Sequence, residues 1–288
     1  MRIASFKTGA GASYGVVTDA GIVDAANRLP NFPTLKSLLA GGALDELRKF
    51  AREPADHALA DVELLPTIPD PEKIFCIGVN YATHLAESGH PTPAHPMIFT
   101  RFANSQVGSG QPMIRPLESE RFDYEGELAV IIGKPGRRIA KKDALAHVAG
   151  YACYNDGSIR DWQRHTSQFT PGKNFSGTGG FGPWMVTTDE IPDVGKLSIA
   201  TRVNGVEVQA APIDDLVFDV ATLIAYCSTF TDLVPGDVIV TGTTGGVGAY
   251  RVPPLWLKHG DVVEVEVSGI GILRNPVQDE AALATRAA

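Results

Sequence analysis

Short apolar runs rich in β-branched residues fill most of this chain, broken at close intervals by Gly, Pro and Asp. Residues 2–7, 14–18 and 21–25 read as strands around glycine and Asp-Ala-Gly turns. A short helix is expected from Pro33-Thr34 through Leu39 and a second over 44–52, separated by Gly41-Gly42. Pro66, Pro69 and Pro71 then mark a linker, so a small N-terminal α+β domain is expected over 1–68. A larger domain over 69–278 follows, with strands expected over 73–78, 97–102, 123–133, 182–186, 237–242, 261–267 and 271–277. A hairpin over 198–209 turns at Asn204-Gly205, and 108–116 reads as loop. Helical patterning is confined to 83–88, 143–148 and 218–230, the last with Val220, Leu223, Ile224 and Cys227 on one face. Residues 279–288 are expected to be a flexible tail. The fold class is therefore α+β, mostly β.

The run over 123–133 carries the most informative polar residues. Side chains on a strand alternate faces, so Glu125 and Glu127 point the same way, followed by Ala129 and Ile131. Two parallel carboxylates at the mouth of an apolar strand repel each other, so a cation offsets them or one is protonated. A third carboxylate, Asp156, ends the next apolar run. Three carboxylates without His or Cys at ligand spacing make a hard oxygen site, suited to Mg²⁺, Mn²⁺ or Ca²⁺ rather than Zn²⁺. The plainer alternative is a pair of glutamates on the solvated face of an edge strand. If 157–164 form a helical turn, Asp156, Arg160 and Gln163 share one face and suit an anionic ligand.

His84 and Glu87 are three apart on the 83–88 stretch, and a carboxylate beside an imidazole makes a candidate general base. A surface His-Glu pair is the alternative. Two glycine motifs are set aside. Gly11-Ala12-Ser13-Tyr14-Gly15 bridges two hairpin strands rather than a strand-to-helix elbow. Gly177, Gly179 and Gly182 precede a strand, not the helix a dinucleotide site needs. Lys173, just before them, is either a solvated lysine or part of a site.

A formal charge of −8 argues against nucleic acid or an anionic membrane as partner. No run is long enough to span a bilayer. Cys76, Cys153 and Cys227 lie far apart in apolar runs, as reduced core residues do. With no signal peptide expected, a cytoplasmic location is expected.

Taken in order, these residues resemble the fumarylacetoacetate hydrolase family, in the bacterial acylpyruvate hydrolase-like branch. The resemblance covers 71–278 and rests on Asn80-Tyr81 with His84 and Glu87, and on Asp123-Tyr124-Glu125-Gly126-Glu127. Asn155-Asp156 with Arg160-Asp161 and Gln163, Gly172-Lys173-Asn174-Phe175, and Thr241-Gly242-Thr243 complete it. It implies a mixed β-sandwich or β-roll catalytic domain and a homodimer. It implies Glu125, Glu127 and Asp156 as ligands of one Mg²⁺ or Mn²⁺ per chain. It implies His84, Glu87 and Lys173 as catalytic residues. Arg160, Gln163, Thr243 and Tyr81 would bind a small anionic oxo-acid substrate. The implied activity is hydrolysis of a C–C bond in a 2,4-dioxo acid, acylpyruvate or fumarylpyruvate in type, through a stabilised enolate, in aromatic or sugar-acid catabolism. The alternative is a decarboxylase or isomerase of a 2-oxo or 2-hydroxymuconate-type diacid, and more remotely a non-catalytic binding protein. Thr244, where many relatives have Pro, and 211–216 depart from the family pattern and are expected to reshape the pocket.

Overall fold

The computed structural model describes residues 1–89 and 91–284. Strand Gly126–Ile132 runs through the centre of the large sheet and is buried along its whole length. Leu128, Val130 and Ile132 pack into one core, and Ala129 and Ile131 into another. A strand covered on both faces is apolar at successive positions, which is why this run shows no clean alternation.

Val148–Asn155 pairs antiparallel on one side of this strand and Val238–Thr243 antiparallel on the other. Ile74–Gly78 lies parallel to Val238–Thr243, and Met97–Arg101 ends that side of the sheet. In the other direction Gly179–Thr187 is followed by Arg2–Thr8, Gly11–Thr18 and Gly21–Asp24. The N-terminal strands thus extend the same sheet, with Arg2 opposite Val186 and Ile3 opposite Met185.

A second sheet of five strands, among the described residues, contains Val206–Pro212, Ser198–Val203, Val262–Val267, Gly271–Asp279 and Met113–Arg115. Its Ile199, Val265, Val267 and Leu273 share a core with Leu128 and Val130. Helix Val220–Phe230 closes that core with Leu223, Ile224 and Cys227, and Asp219 caps it by accepting from Thr222 N–H. On the opposite face, helix Leu35–Ala40 buries Leu35, Leu38 and Leu39, with Thr34 and Ser37 forming a capping box. The architecture is the expected α+β, mostly β, mixed-sheet fold. The three cysteines are buried and free. No helix of the described residues is long and apolar enough to cross a membrane.

Several local expectations change. The run over 123–133 is two strands. Phe122–Asp123 pairs with Ser158–Ile159, and the long ladder resumes only at Gly126. Between them Glu125 N–H donates to the Asn155 side chain at 3.0 Å, which takes Glu125 out of the ladder. Gly126 has a steric reason: a Cβ there would lie 2.0 Å from Thr201 Oγ1. Residues 157–164 are not one helical turn either. Asp156 precedes a strand, and only Arg160–Gln163 is helical. Leu44–Phe50 and Lys141–His147 are 3₁₀ helices, and the 108–116 loop contains strand Met113–Arg115, paired with Gly271–Asp279. Such pairing is a tertiary effect that local pattern does not encode. The tail expected from residue 279 is not seen at its start. Asp279 ends a strand and pairs with Arg115 at 2.7 and 2.8 Å, and Glu280–Ala284 is helical. The rest of that tail, 285–288, lies outside the described residues.

Candidate active site

Glu125 and Asp156 are fixed to each other across neighbouring strands, because Asp156 N–H donates to Glu125 O at 2.8 Å. Glu127 sits two residues further along. One carboxylate oxygen from each of the three lies within 4.8 Å of the others, and all three residues are buried. Such a cluster is tolerable only with partners. Lys173 Nζ donates to Glu125 Oε2 at 2.5 Å and to Asp156 Oδ2 at 2.6 Å. Arg160 Nη1 approaches Glu125 Oε1 at 2.6 Å, and its Nε bonds Asp123 Oδ2 at 2.8 Å. Arg101 Nη1 bonds Asp156 Oδ1 at 2.6 Å.

Glu127 is the exception. It accepts a hydrogen bond from Gly242 N–H at 2.6 Å and has no cationic partner among the described residues. Gly242 adopts φ +106°, and a Cβ there would sit 2.8 Å from Asn80 Cβ, so a side chain at 242 would disturb this donor. The pKa shifts follow this geometry. Burial opposes charge on Glu125, yet Arg160 and Lys173 hold its carboxyl down at about 2. Burial, with Asp156 and Glu125 nearby, pushes the Glu127 carboxyl well above its ordinary value. Burial likewise opposes charge on Lys173, but Asp156 and Glu125 raise it above the ordinary lysine value and hold it as an ammonium. Three converging hard oxygen ligands, one of them lacking a cation, fit a divalent metal ion.

Of these groups Glu125, Glu127, Lys173 and Arg160 line a cavity of about 240 Å³. Its polar wall includes Arg160, Gln163, Thr243 and His84, and Ile77, Phe99 and Phe169 supply apolar wall. His84 lies on helix Ala82–Ser88. Its Nδ1 is 3.2 Å from Glu87 Oε2, and Glu87 Oε1 accepts from Gly246 N–H at 3.0 Å. The helix is tied down by Asp215, which accepts from Thr83 N–H at 3.2 Å and Thr83 Oγ1 at 2.9 Å. Val79, which also lines the cavity, holds φ at 55°, a region unfavourable for a β-branched residue. It joins strand Ile74–Gly78 to the helix that carries His84.

The fold brings together all the residues expected at the site except Tyr81. Tyr81 is buried in the main hydrophobic core with Leu128 and Val130, its hydroxyl has no hydrogen-bond partner among the described residues, and it does not line the cavity. It stands at the N-cap of the 82–88 helix, which turns it inward while His84 turns towards the cavity. Asp156 and Arg160 share the centre but do not pair; Asp156 takes Arg101 and Lys173, while Arg160 takes Asp123 and Glu125. The unusual 211–216 segment acts through Asp215, beneath the helix rather than in the cavity. Thr244 is buried and does not line the cavity; its carbonyl accepts from Gln209 at 3.0 Å.

Sequence reasoning missed Arg101 and Asp123. Arg101 ends an otherwise apolar run, and Asp123 opens the same acidic motif as Glu125, so each had a signal. Phe99, Phe169 and Tyr250 carried none.

The family model described as fumarylacetoacetate hydrolase C-terminal matches residues 73–278. A mitochondrial oxaloacetate tautomerase of Xenopus laevis is 41% identical over 287 residues, covering 96% of this chain and 90% of that protein. Among solved structures, fumarylacetoacetate hydrolase from psychrophilic Exiguobacterium antarcticum has a TM-score of 0.86 at 35% identity, covering 97% and 100% of the two chains. Maleylpyruvate hydrolase from Sphingobium sp. SYK-6, in complex with manganese(II) and pyruvate, has a TM-score of 0.79 at 28% identity, covering 97% and 99%. The chain belongs to the fumarylacetoacetate hydrolase family of enzymes. The cytoplasmic expectation is corrected by the Xenopus relative, which is mitochondrial.

Glu127 gives the cleanest test of metal binding, because its removal leaves no cation unpaired. Glu127→Gln should weaken Mn²⁺ binding at least as much as losing an outer-shell partner does, roughly 10–100-fold. Mn²⁺ should raise the melting temperature of the parent and leave that of the variant nearly unshifted. Equal Mn²⁺ affinity in equilibrium dialysis would remove Glu127 from the site.

Proposed function

We propose that this chain catalyses keto–enol chemistry on the carbon beside the keto group of a 2-oxo acid, with oxaloacetate tautomerisation as the reaction, using one Mg²⁺ or Mn²⁺ per chain. The observation that carries this reading is one small cavity lined by both an ammonium held charged and an imidazole. The tautomerase relative, matched over nearly the whole chain, supports oxaloacetate, and the hydrolase neighbour holding manganese and pyruvate supports a 2-oxo acid head.

Held by Glu125, Glu127 and Asp156, a divalent cation would polarise the keto and carboxylate oxygens and lower the cost of an enolate. Lys173 stays protonated between Asp156 and Glu125, so it serves as a proton donor and charge stabiliser rather than as the base. The base is then His84. Its Nδ1 faces Glu87, which orients the ring, and its Nε2 makes no hydrogen bond among the described residues. Nε2 takes the proton from the carbon beside the keto group, and Lys173 Nζ protonates the oxygen as negative charge develops there. After product leaves, His84 gives its proton to water and Lys173 regains one from water, which resets both groups; the enol-to-keto direction runs the same transfers in reverse. Arg160, with Gln163 bonded to its Nη1 at 3.0 Å, holds the substrate carboxylate. Ile77, Phe99 and Phe169 keep water from the forming enolate. Thr243 is a wall, its hydroxyl already donating to Gly126 O and accepting from Gln209.

Hydrolysis of a 2,4-dioxo acid is the second reading. The His84–Glu87 pair favours it, because the same free nitrogen can take a proton from water and direct the hydroxide at the distal carbonyl. A homodimer is part of the proposal on family grounds; sedimentation showing only monomer at micromolar concentration contradicts it.

With Mg²⁺ present, the parent should speed the conversion of enol to keto oxaloacetate. His84→Ala should lower kcat by roughly a hundredfold or more, and Glu87→Gln should do so more mildly. A His84→Ala variant working at the parental rate places the base elsewhere. A parent that cleaves acetylpyruvate and leaves enol oxaloacetate untouched makes the hydrolase reading correct.

A further inference from the structure

The loop over 246–251 is held by two residues of the acidic motif, Asp123 and Tyr124, and by its own Arg251. Asp123 Oδ1 accepts from Gly248 N–H at 2.8 Å, and its Oδ2 accepts from Ala249 N–H at 2.9 Å. The Tyr124 hydroxyl donates to Gly246 O at 3.0 Å. Arg251 Nε donates to that hydroxyl at 3.0 Å and to Gly246 O at 3.2 Å, and its Nη2 donates to Val208 O at 2.6 Å. The Tyr124 ring cannot swing away, because it is fully buried in a core with Phe122, Ile159 and Leu257.

Gly246 is where this anchorage meets the candidate base. Its N–H donates to Glu87 Oε1 at 3.0 Å, and Glu87 Oε2 lies 3.2 Å from His84 Nδ1. An ionised carboxylate only accepts, so the proton of a neutral His84 sits on Nδ1 and Nε2 is left free to take another. Gly246 holds φ at +100° and has no side chain, so nothing of its own fixes the direction of its N–H. The two donors on its carbonyl supply that restraint. The same loop brings Tyr250, whose ring meets the His84 ring edge-on at a centroid distance of 6.0 Å.

We propose that Tyr124 and Arg251 are positioning residues for His84: they hold Gly246 so that its N–H orients Glu87, and Glu87 keeps the imidazole proton on Nδ1. The proposal rests on the reading above in which His84 is the base. Tyr124 stands next to Glu125, so the strand that carries the carboxylate cluster also sets the base, through one glycine of a neighbouring loop.

A spectroscopic readout and a double-mutant cycle test this on the full chain with Mg²⁺ present. In parent protein labelled with ¹⁵N-histidine, with the ring neutral, the long-range ¹H–¹⁵N spectrum should show His84 with its proton on Nδ1. Absence of the signal from His84→Ala assigns it. Tyr124→Phe, and independently Arg251→Gln, should move that signal to a mixture of the two tautomers. Tyr124→Phe should also lower kcat roughly fivefold, the scale of one hydrogen bond, and leave KM unchanged. Beside Glu87→Gln the same change should cost less than about twofold, because the residue it acts through is gone. A variant that keeps the parental tautomer overturns the role of its residue. A loss that recurs in full beside Glu87→Gln does so too, because it marks a general loss of structure. The spectrum needs no turnover. A parent that leaves enol oxaloacetate untouched, but whose Nδ1–H tautomer is lost in Tyr124→Phe, keeps the positioning pair and loses the proposed activity. A parent that tautomerises oxaloacetate, with the tautomer unchanged in both variants, keeps the activity and loses the pair.

Discussion

Four carboxylates and three fixed cations share one buried pocket, and the imbalance falls on Glu127. Asp123, Glu125 and Asp156 each have a guanidinium or ammonium within 2.8 Å. Charges this deep are stable only when paired and hydrogen-bonded. Among the described residues Glu127 has a main-chain N–H alone, and a divalent cation would supply the opposite charge it lacks. The large sheet makes this possible. Gly126–Ile132 is packed on both faces and cannot shift to relieve the repulsion, so the carboxylates stay converged. Arg101 matters for the same reason. It reaches Asp156, Gly157 O and Thr178 from the edge strand, and fixes one side of the cluster with three hydrogen bonds.

The general-base candidate is mounted differently. His84 sits on a seven-residue helix entered through a left-handed Val79 and left through a left-handed Gly89. Thr83 bonds Asp215 and accepts from Gly245 N–H, and Glu87 accepts from Gly246 N–H. A short helix with few ties belongs to the low-stability end of a structure, where elements that open and close are drawn. In the proposed reaction the rigid charge cluster and the lightly held imidazole would divide the work: one would fix the substrate head, the other would move a proton. Asp215 explains the place of an unusual segment. Among the residues over 211–216, Asp215 holds that helix, and none of them lines the cavity.

Much of this was legible in the sequence. Glu125, Glu127, Asp156, Lys173, His84 and Glu87 are polar residues set at fixed offsets in apolar runs, and such residues stand out because burial is costly for them. The strands were legible for the same reason, as was the hairpin at Asn204-Gly205, whose φ values of 52° and 80° suit those two residues. What failed depended on distant partners. Tyr81 matched a motif, but which side of a helix cap faces the cavity is decided by the sheet beneath it. The shared face expected for Asp156, Arg160 and Gln163 assumed a local helical turn, whereas the partners of Arg160, Asp123 and Glu125, reach it across a strand pair.

The central claim is that the charge deficit at Glu127 is met by a divalent cation shared with Glu125 and Asp156. Anomalous diffraction from crystals grown with Mn²⁺ tests it most directly. The account predicts one strong peak per chain within bonding distance of a carboxylate oxygen from each of the three residues. A peak elsewhere, or none in crystals of active protein, would contradict it.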